Sequence, residues 1–230
     1  MKKQLLFSAF FISLNLIIFG QNIIHSNKIF YTGNNASVYC LKGTAVTLNN
    51  SGKLVSGTLS RDQIFYNGKN GSVYCTKGTN VSFYETGKVK SAILSRGQIF
   101  YNGKNGSVYC TKGTKVSFYE TGKVKTAVLS RDQIFYNGKN GSVYCTKGTN
   151  VSFYETGKVN SAVLSRGQIF YNGRNGSVYC TKGTNVSFYE TGNVKTAVLS
   201  RNQIFYAAGN KSRQFKKGDI VNFYENGFVR

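Results

Sequence analysis

The sequence predicts an all-β chain folded as an elongated antiparallel β-meander, a repeat array of ~35-residue units. Three observations predict it. Cysteines fall at Cys40, Cys75, Cys110, Cys145 and Cys180, always 35 residues apart. Within each unit, short runs rich in β-branched and aromatic residues alternate with clusters of Gly and Asn, the composition of strands and turns. Helical periodicity is absent after the first twenty residues.

The units run Ser26–Ser60, Arg61–Ser95, Arg96–Ser130, Arg131–Ser165, Arg166–Ser200 and the shortened Arg201–Arg230. The four middle units are nearly identical and open alternately with Arg-Asp-Gln and Arg-Gly-Gln, which suggests that a 70-residue pair was itself duplicated. The end units diverge most, as a linear array requires where a face has no neighbour to cover it.

The second unit serves for all. Gln63-Ile64-Phe65-Tyr66 reads as a strand. Asn67-Gly68-Lys69-Asn70-Gly71 tolerates positive φ and reads as a turn. Ser72 to Cys75 is a second strand, Lys77-Gly78 a second turn, and Asn80 to Tyr84 a third strand. Glu85-Thr86-Gly87 fits a three-residue hairpin loop, and Lys88 to Ser95 is the return strand. Four such strands spaced ~4.8 Å in one sheet would advance each unit by ~19 Å. A closed six-bladed propeller and a one-coil-per-unit solenoid stay open, because apolar groups lie on both faces of several strands.

Residues 1–20 read as a signal peptide: Met1-Lys2-Lys3, an apolar run from Leu5 to Phe19, and the small residue Gly20 before Gln21-Asn22. Residues 21–230 are then a single β-repeat domain, exported to the periplasm, the cell surface or the medium, without a transmembrane span after cleavage. Two of the cations behind the net charge of +22 lie in this leader.

The cysteines read as small buried apolar residues rather than disulfides or ligands. Their number is odd, the sixth unit replaces Cys by Phe215, and no Cys-x-x-Cys or partnering His accompanies them. The single His, His25, reads as a loop residue. Five of the eight acids occupy the same hairpin-loop position at 35-residue spacing. That spacing gives no reason for two carboxylates to meet. No nucleophile motif is present, and neither an enzyme, a metal nor a cofactor is expected.

Positive charge recurs in rows. Arg61, Arg96, Arg131, Arg166 and Arg201 open successive units. Lys69, Lys104, Lys139 and Arg174 sit in the Asn-Gly turns, and Lys42, Lys77, Lys112, Lys147, Lys182 and Lys217 precede a glycine. The first two rows are the candidate polyanion-binding stripes, since a rigid array turns a repeated cation into a rank of charge.

The segment Val81-Ser82-Phe83-Tyr84-Glu85-Thr86-Gly87-Lys88-Val89-Lys90-Ser91, repeated through Phe223-Tyr224-Glu225-Asn226-Gly227, resembles the hairpin unit of MORN-variant repeats. The resemblance covers about a third of each unit. It departs from that pattern in its longer period, its lack of Trp and the extra hairpin from Gln63 to Cys75. It implies an elongated antiparallel sheet used for scaffolding, protein contacts or lipid contacts. The sequence therefore leads to an exported, non-catalytic β-repeat scaffold or protein-interaction module with a basic surface. Its alternative is a module that binds lipopolysaccharide, acidic lipid or acidic polysaccharide in the envelope or matrix. Export disfavours nucleic acid.

Overall fold

The computed structural model describes residues 22–230, apart from the side chains of Lys69, Lys104, Lys139 and Asn210. The leader expected at residues 1–20 lies outside the described residues. One antiparallel sheet of 12 strands runs the length of the array. Its order is Asn22–Ile23, Ala45–Leu48, Leu54–Thr58, Asn80–Phe83, Val89–Ile93, Lys115–Phe118, Val124–Val128, Asn150–Phe153, Val159–Val163, Asn185–Phe188, Val194–Val198 and Ile220–Asn222. The first and last strands are opposite edges of this order, so the sheet is open and the propeller is set aside.

Each of the first five units gives the sheet only its third and fourth strands, the sixth gives Ile220–Asn222 alone, and Asn22–Ile23 precedes the first unit. The first two strands of a unit pair with each other as a separate hairpin, such as Gln63–Tyr66 with Ser72–Cys75, in the register Phe65↔Val73 and Tyr66↔Ser72. Six such hairpins form an outer layer. The array therefore advances by two strands per unit, ~10 Å rather than ~19 Å. The reason is burial. A hairpin kept in a single-layer sheet would leave Phe65, Val73 and Cys75 uncovered. Folded onto the sheet, they are buried with Val81, Phe83, Val89, Ala92 and Leu94. Phe65 meets Phe83 edge to face with centroids 5.0 Å apart, and Phe100–Phe118, Phe135–Phe153 and Phe170–Phe188 repeat the pair. Edge-to-face pairs of this kind contribute ~0.5–1.5 kcal/mol beyond area burial.

A bridge from each cysteine to a leucine, Cys75 to Leu94 for example, ties the layers at the return strand. The cysteines are free and buried, as their spacing suggested.

The turns lock neighbouring units together. In the three-residue loop, Tyr84 N–H donates to Lys88 O and Gly87 has φ +80°. Successive loops pack against the Asn-Gly turn of the preceding unit. A Cβ on Gly157 would stand 2.8 Å from the Asn102 carbonyl oxygen, so this approach requires glycine. Asn105 completes the contact. Its amide donates to Gly157 O and Tyr136 O while accepting from Tyr136 N–H. Asn140 and Asn175 repeat that set. These asparagine side chains are thus structural pins between units.

Candidate binding face

The outward face of the hairpin layer is built by strand alternation. Phe65, Val73 and Cys75 point to the core, so Ile64, Tyr66, Ser72 and Tyr74 point out. Both strands carry apolar side chains on both faces, which from sequence suggested cover on both sides. Among the described residues this face is uncovered: Ile64 is 57% exposed and Tyr66 67%. The pair recurs exposed as Ile99 and Tyr101, Ile134 and Tyr136, and Ile169 and Tyr171.

Glutamine joins these hairpins into a continuous rank. Gln98 opens the first strand of the third unit, Gln98–Tyr101. Its side chain accepts from Tyr74 N–H at 2.8 Å and donates to Ser72 O at 2.9 Å. It thereby imitates a neighbouring strand along the outer edge of the second unit's hairpin. Gln63, Gln133, Gln168 and Gln203 make the same two bonds. The main-chain groups of an edge strand are satisfied without extending the sheet.

Two residues before each glutamine stands the arginine of the first candidate row. Its guanidinium lies over the tyrosine that the glutamine clamps. Arg61 Cζ is 3.4 Å from the Tyr39 ring centre, Arg96 is 3.2 Å from Tyr74, and Arg131 is 3.3 Å from Tyr109. Arg166 on Tyr144 and Arg201 on Tyr179 continue the rank at 3.3 and 3.2 Å. All five arginines are exposed. Among the described residues, the arginines whose side chains donate hydrogen bonds are Arg213 and Arg230. The stacked guanidiniums therefore keep their N–H groups turned to solvent. Planar stacking on an aromatic face holds a guanidinium in place while leaving its donor edge available to a carboxylate, sulfate or phosphate.

The second candidate row lies elsewhere. Lys69, Lys104, Lys139 and Arg174 fall in the short 3-10 turns Gly68–Asn70, Gly103–Asn105, Gly138–Asn140 and Gly173–Asn175. These turns sit at the far end of the strands that the arginines open, so the two rows do not form one site. The Arg174 guanidinium stands 5.4 Å from the Phe228 ring centre. The glycine-preceding lysines do join the arginine end. Asp62 Oδ1 accepts from Lys77 N–H and Asp132 Oδ1 from Lys147 N–H, each at 2.6 Å. That end of the array carries both an arginine and a lysine per unit. Its charge alternates through the four middle units, where Gly97 and Gly167 stand in place of Asp62 and Asp132, and the end units carry Asn27 and Asn202 there.

Beside the turns, recurring clefts of about 460 and 490 Å³ lie between units, lined by Tyr101, Thr121 and Lys123 and by Tyr136, Thr156 and Lys158. Their lysines are engaged: Lys123 Nζ donates to Glu155 O and Lys158 Nζ to Glu190 O, both at 2.9 Å.

On the opposite surface, the outside of the 12-stranded sheet, hydroxyls pair with one another, and the exposed Lys90, Lys125 and Lys195 stand 5.6, 5.4 and 5.7 Å from the Tyr84, Tyr119 and Tyr189 ring centres. Ser82 and Ser91 share a hydrogen bond of 2.8 Å, Ser117 and Thr126 one of 2.6 Å, and Ser152 and Ser161 one of 2.7 Å. Tyr84 donates to Phe118 O, and Tyr119 and Tyr154 repeat the bond one unit on. Burial, with lesser effects of Glu120 and Glu155, raises the Tyr84 phenol.

The remaining chemistry is structural. Loop glutamates accept from the threonine of the preceding unit, as Glu120 does from Thr86 at 2.9 Å. Burial pushes the Cys110 thiol up to about 12, so it is a protonated core group rather than a nucleophile. Among the described residues no three His, Cys, Asp or Glu side chains gather as metal ligands, and no helix is long and apolar enough to cross a membrane.

The sequence singled out the arginines but not their stacking on tyrosines of the preceding unit, nor the glutamine clamps. One signal was present: each arginine follows its tyrosine by the same interval, Tyr39 to Arg61 and Tyr74 to Arg96. No protein-family model matches the chain, and no curated protein matches it in sequence.

Proposed function

We propose that this chain is an exported, non-catalytic β-repeat module that holds an extended anionic partner along its hairpin face. The rank of five arginines stacked on tyrosines, exposed and with their donor edges unengaged, carries the reading. A surface built only for solubility has no need to immobilise its cations on rings. The leader-like residues 1–20 support export, and the MORN-like loops support a scaffold in which each unit repeats one contact. Five loop glutamates are separated by whole units, and those preceded by a threonine bond lock loops together, which supports a role without acid–base chemistry.

A second reading is a protein-interaction scaffold, favoured by the exposed isoleucines Ile64, Ile99, Ile134, Ile169 and Ile204 beside the stacks. Cosedimentation with lipopolysaccharide, acidic polysaccharide, and anionic or neutral vesicles separates the two as salt is raised. The anionic reading expects binding that persists at physiological salt and favours one anion class. Capture of anions only at low salt makes the charge generic and leaves the protein scaffold.

A further inference from the structure

We propose that the arginine–tyrosine rank is a rail for a linear acidic polysaccharide carrying one carboxylate per disaccharide, and that Arg96 and Arg166 are stronger subsites than Arg61 and Arg131. This rests on the anion-binding reading above and names the class of anion.

Spacing is the first argument. The sheet gains two strands per unit, so successive stacks are ~10 Å apart along the array. Two linked pyranose rings of an extended glycan span close to that length, so an alternating uronic-acid polymer offers one carboxylate to each guanidinium. The donor edge of a stacked guanidinium suits such a carboxylate, which accepts two parallel N–H bonds. The exposed Ile64 and Tyr66, with their repeats, give the uncharged sugar between carboxylates an apolar surface on which to lie.

Shape is the second argument. At an ordinary twist of ~20° per strand, each unit turns the face by ~40° about the array axis. The rank winds. A planar lipid surface then meets only a rung or two, whereas a linear polymer follows the winding. Duplex DNA carries a charge every ~1.7 Å of its axis. One guanidinium per ~10 Å leaves most of those charges unmatched.

Local charge is the third argument and orders the subsites. Arg61 and Arg131 are followed by Asp62 and Asp132, whose carboxylates oppose an incoming anion. Arg96 and Arg166 are followed by Gly97 and Gly167. The rungs from Arg61 to Arg166 therefore alternate in strength with the 70-residue period, and Arg201, followed by the uncharged Asn202, falls with the stronger set.

The test is titration calorimetry of the purified chain at physiological salt. The probes are hyaluronan oligosaccharides of increasing length, carboxyl-reduced hyaluronan, phosphatidylglycerol vesicles and single-stranded DNA. The proposal expects affinity that climbs with each added disaccharide until the rungs are filled, and loss of binding on carboxyl reduction. Arg96→Gln with Arg166→Gln keeps a planar group over each tyrosine while removing the charge. It should weaken hyaluronan binding at least about tenfold, and more than Arg61→Gln with Arg131→Gln. Unchanged thermal unfolding of both double variants keeps the comparison one of binding. Binding of vesicles or DNA without hyaluronan overturns the polysaccharide assignment and leaves the anion reading standing. Binding of no anion overturns both. Equal losses from the two double variants overturn the ordering of subsites.

Discussion

A guanidinium that merely solubilised the surface would wander, and a thiol that merely filled space would be replaceable by any small apolar group. The two residue types are placed very differently by the same repeat. Each arginine is fixed on a ring in solvent, and each cysteine is sealed between layers. Burial pushes Cys40 up to about 11 and Cys75, Cys110, Cys145 and Cys180 to about 12, with Asp62 and Asp132 adding to burial at Cys75 and Cys145. Folded thiols should therefore resist a disulfide reagent at pH 8, with five reacting once the chain is unfolded. The same shift carries a pH signature. An unfolded thiol ionises near 9.0 and the folded one does not, so the folded state holds more protons as pH rises from about 9 towards about 12. Stability present below pH 9 is lost across that window. Urea midpoints at pH 8 and pH 10.5 should diverge more for the natural chain than for one with all five cysteines changed to alanine. Cysteine burial was legible in sequence, because Phe215 stands where the sixth copy would be. The arginine's partner was not, since it lies in the preceding unit and only the fold brings the two together.

At the scale of elements, strand and turn positions were legible because each strand is flanked by glycine, and the loop Glu85-Thr86-Gly87 closes as its composition implies. The division into two layers was not. Alternation marks which side chains share a face, but Ile64 and Tyr66 are as apolar as Phe65 and Val73, so pattern alone could not say which face is covered. The glutamines decide how the outer layer is held. Gln133→Ala removes two hydrogen bonds from the hairpin of the third unit, at Tyr109 N–H and Ser107 O. Each such bond contributes ~1 kcal/mol, so the variant should unfold ~1–2 kcal/mol earlier in urea without losing its β circular dichroism. The first unit shows how volume is traded within a hairpin. Leu54 and Gly57 occupy the positions of Val89 and Ala92, and a Cβ on Gly57 would come within 2.9 Å of Cys40 Sγ and 3.3 Å of Val46. Gly57→Ala should destabilise by ~1–3 kcal/mol through overpacking. Adding Leu54→Val restores the combination found in the second unit. The double variant should thus regain part of the loss, and additive unfolding energies would contradict the trade.

At the scale of the whole molecule, each unit is supported, among the described residues, by its neighbouring units, so the array is a one-dimensional object. The 35-residue period was legible in the cysteines alone, whereas its length in space was not, because sequence counts strands without saying which layer receives them. Removing residues 96–130 tests both the architecture and the use of the face. The junction brings Ser95 to Arg131, so Arg131 should stack on Tyr74 and Gln133 should take over the bonds of Gln98 to Tyr74 N–H and Ser72 O. In the sheet, Val89–Ile93 should pair with Asn150–Phe153 in place of Lys115–Phe118. The shortened chain should fold, lose ~10 Å of length in solution scattering, and unfold with a denaturant slope reduced in proportion to the surface removed. Removing 96–113 instead leaves the third unit's sheet strands without their outer hairpin. Phe118, Val124 and Ala127 would then be uncovered, and this chain should aggregate. The intact-unit deletion also removes one stacked guanidinium. If each rung releases about one counterion on binding a long anionic polymer, the plot of log affinity against log salt should become shallower by about one. A slope that stays constant after a clean deletion would mean the anion is held at one end of the array rather than along it.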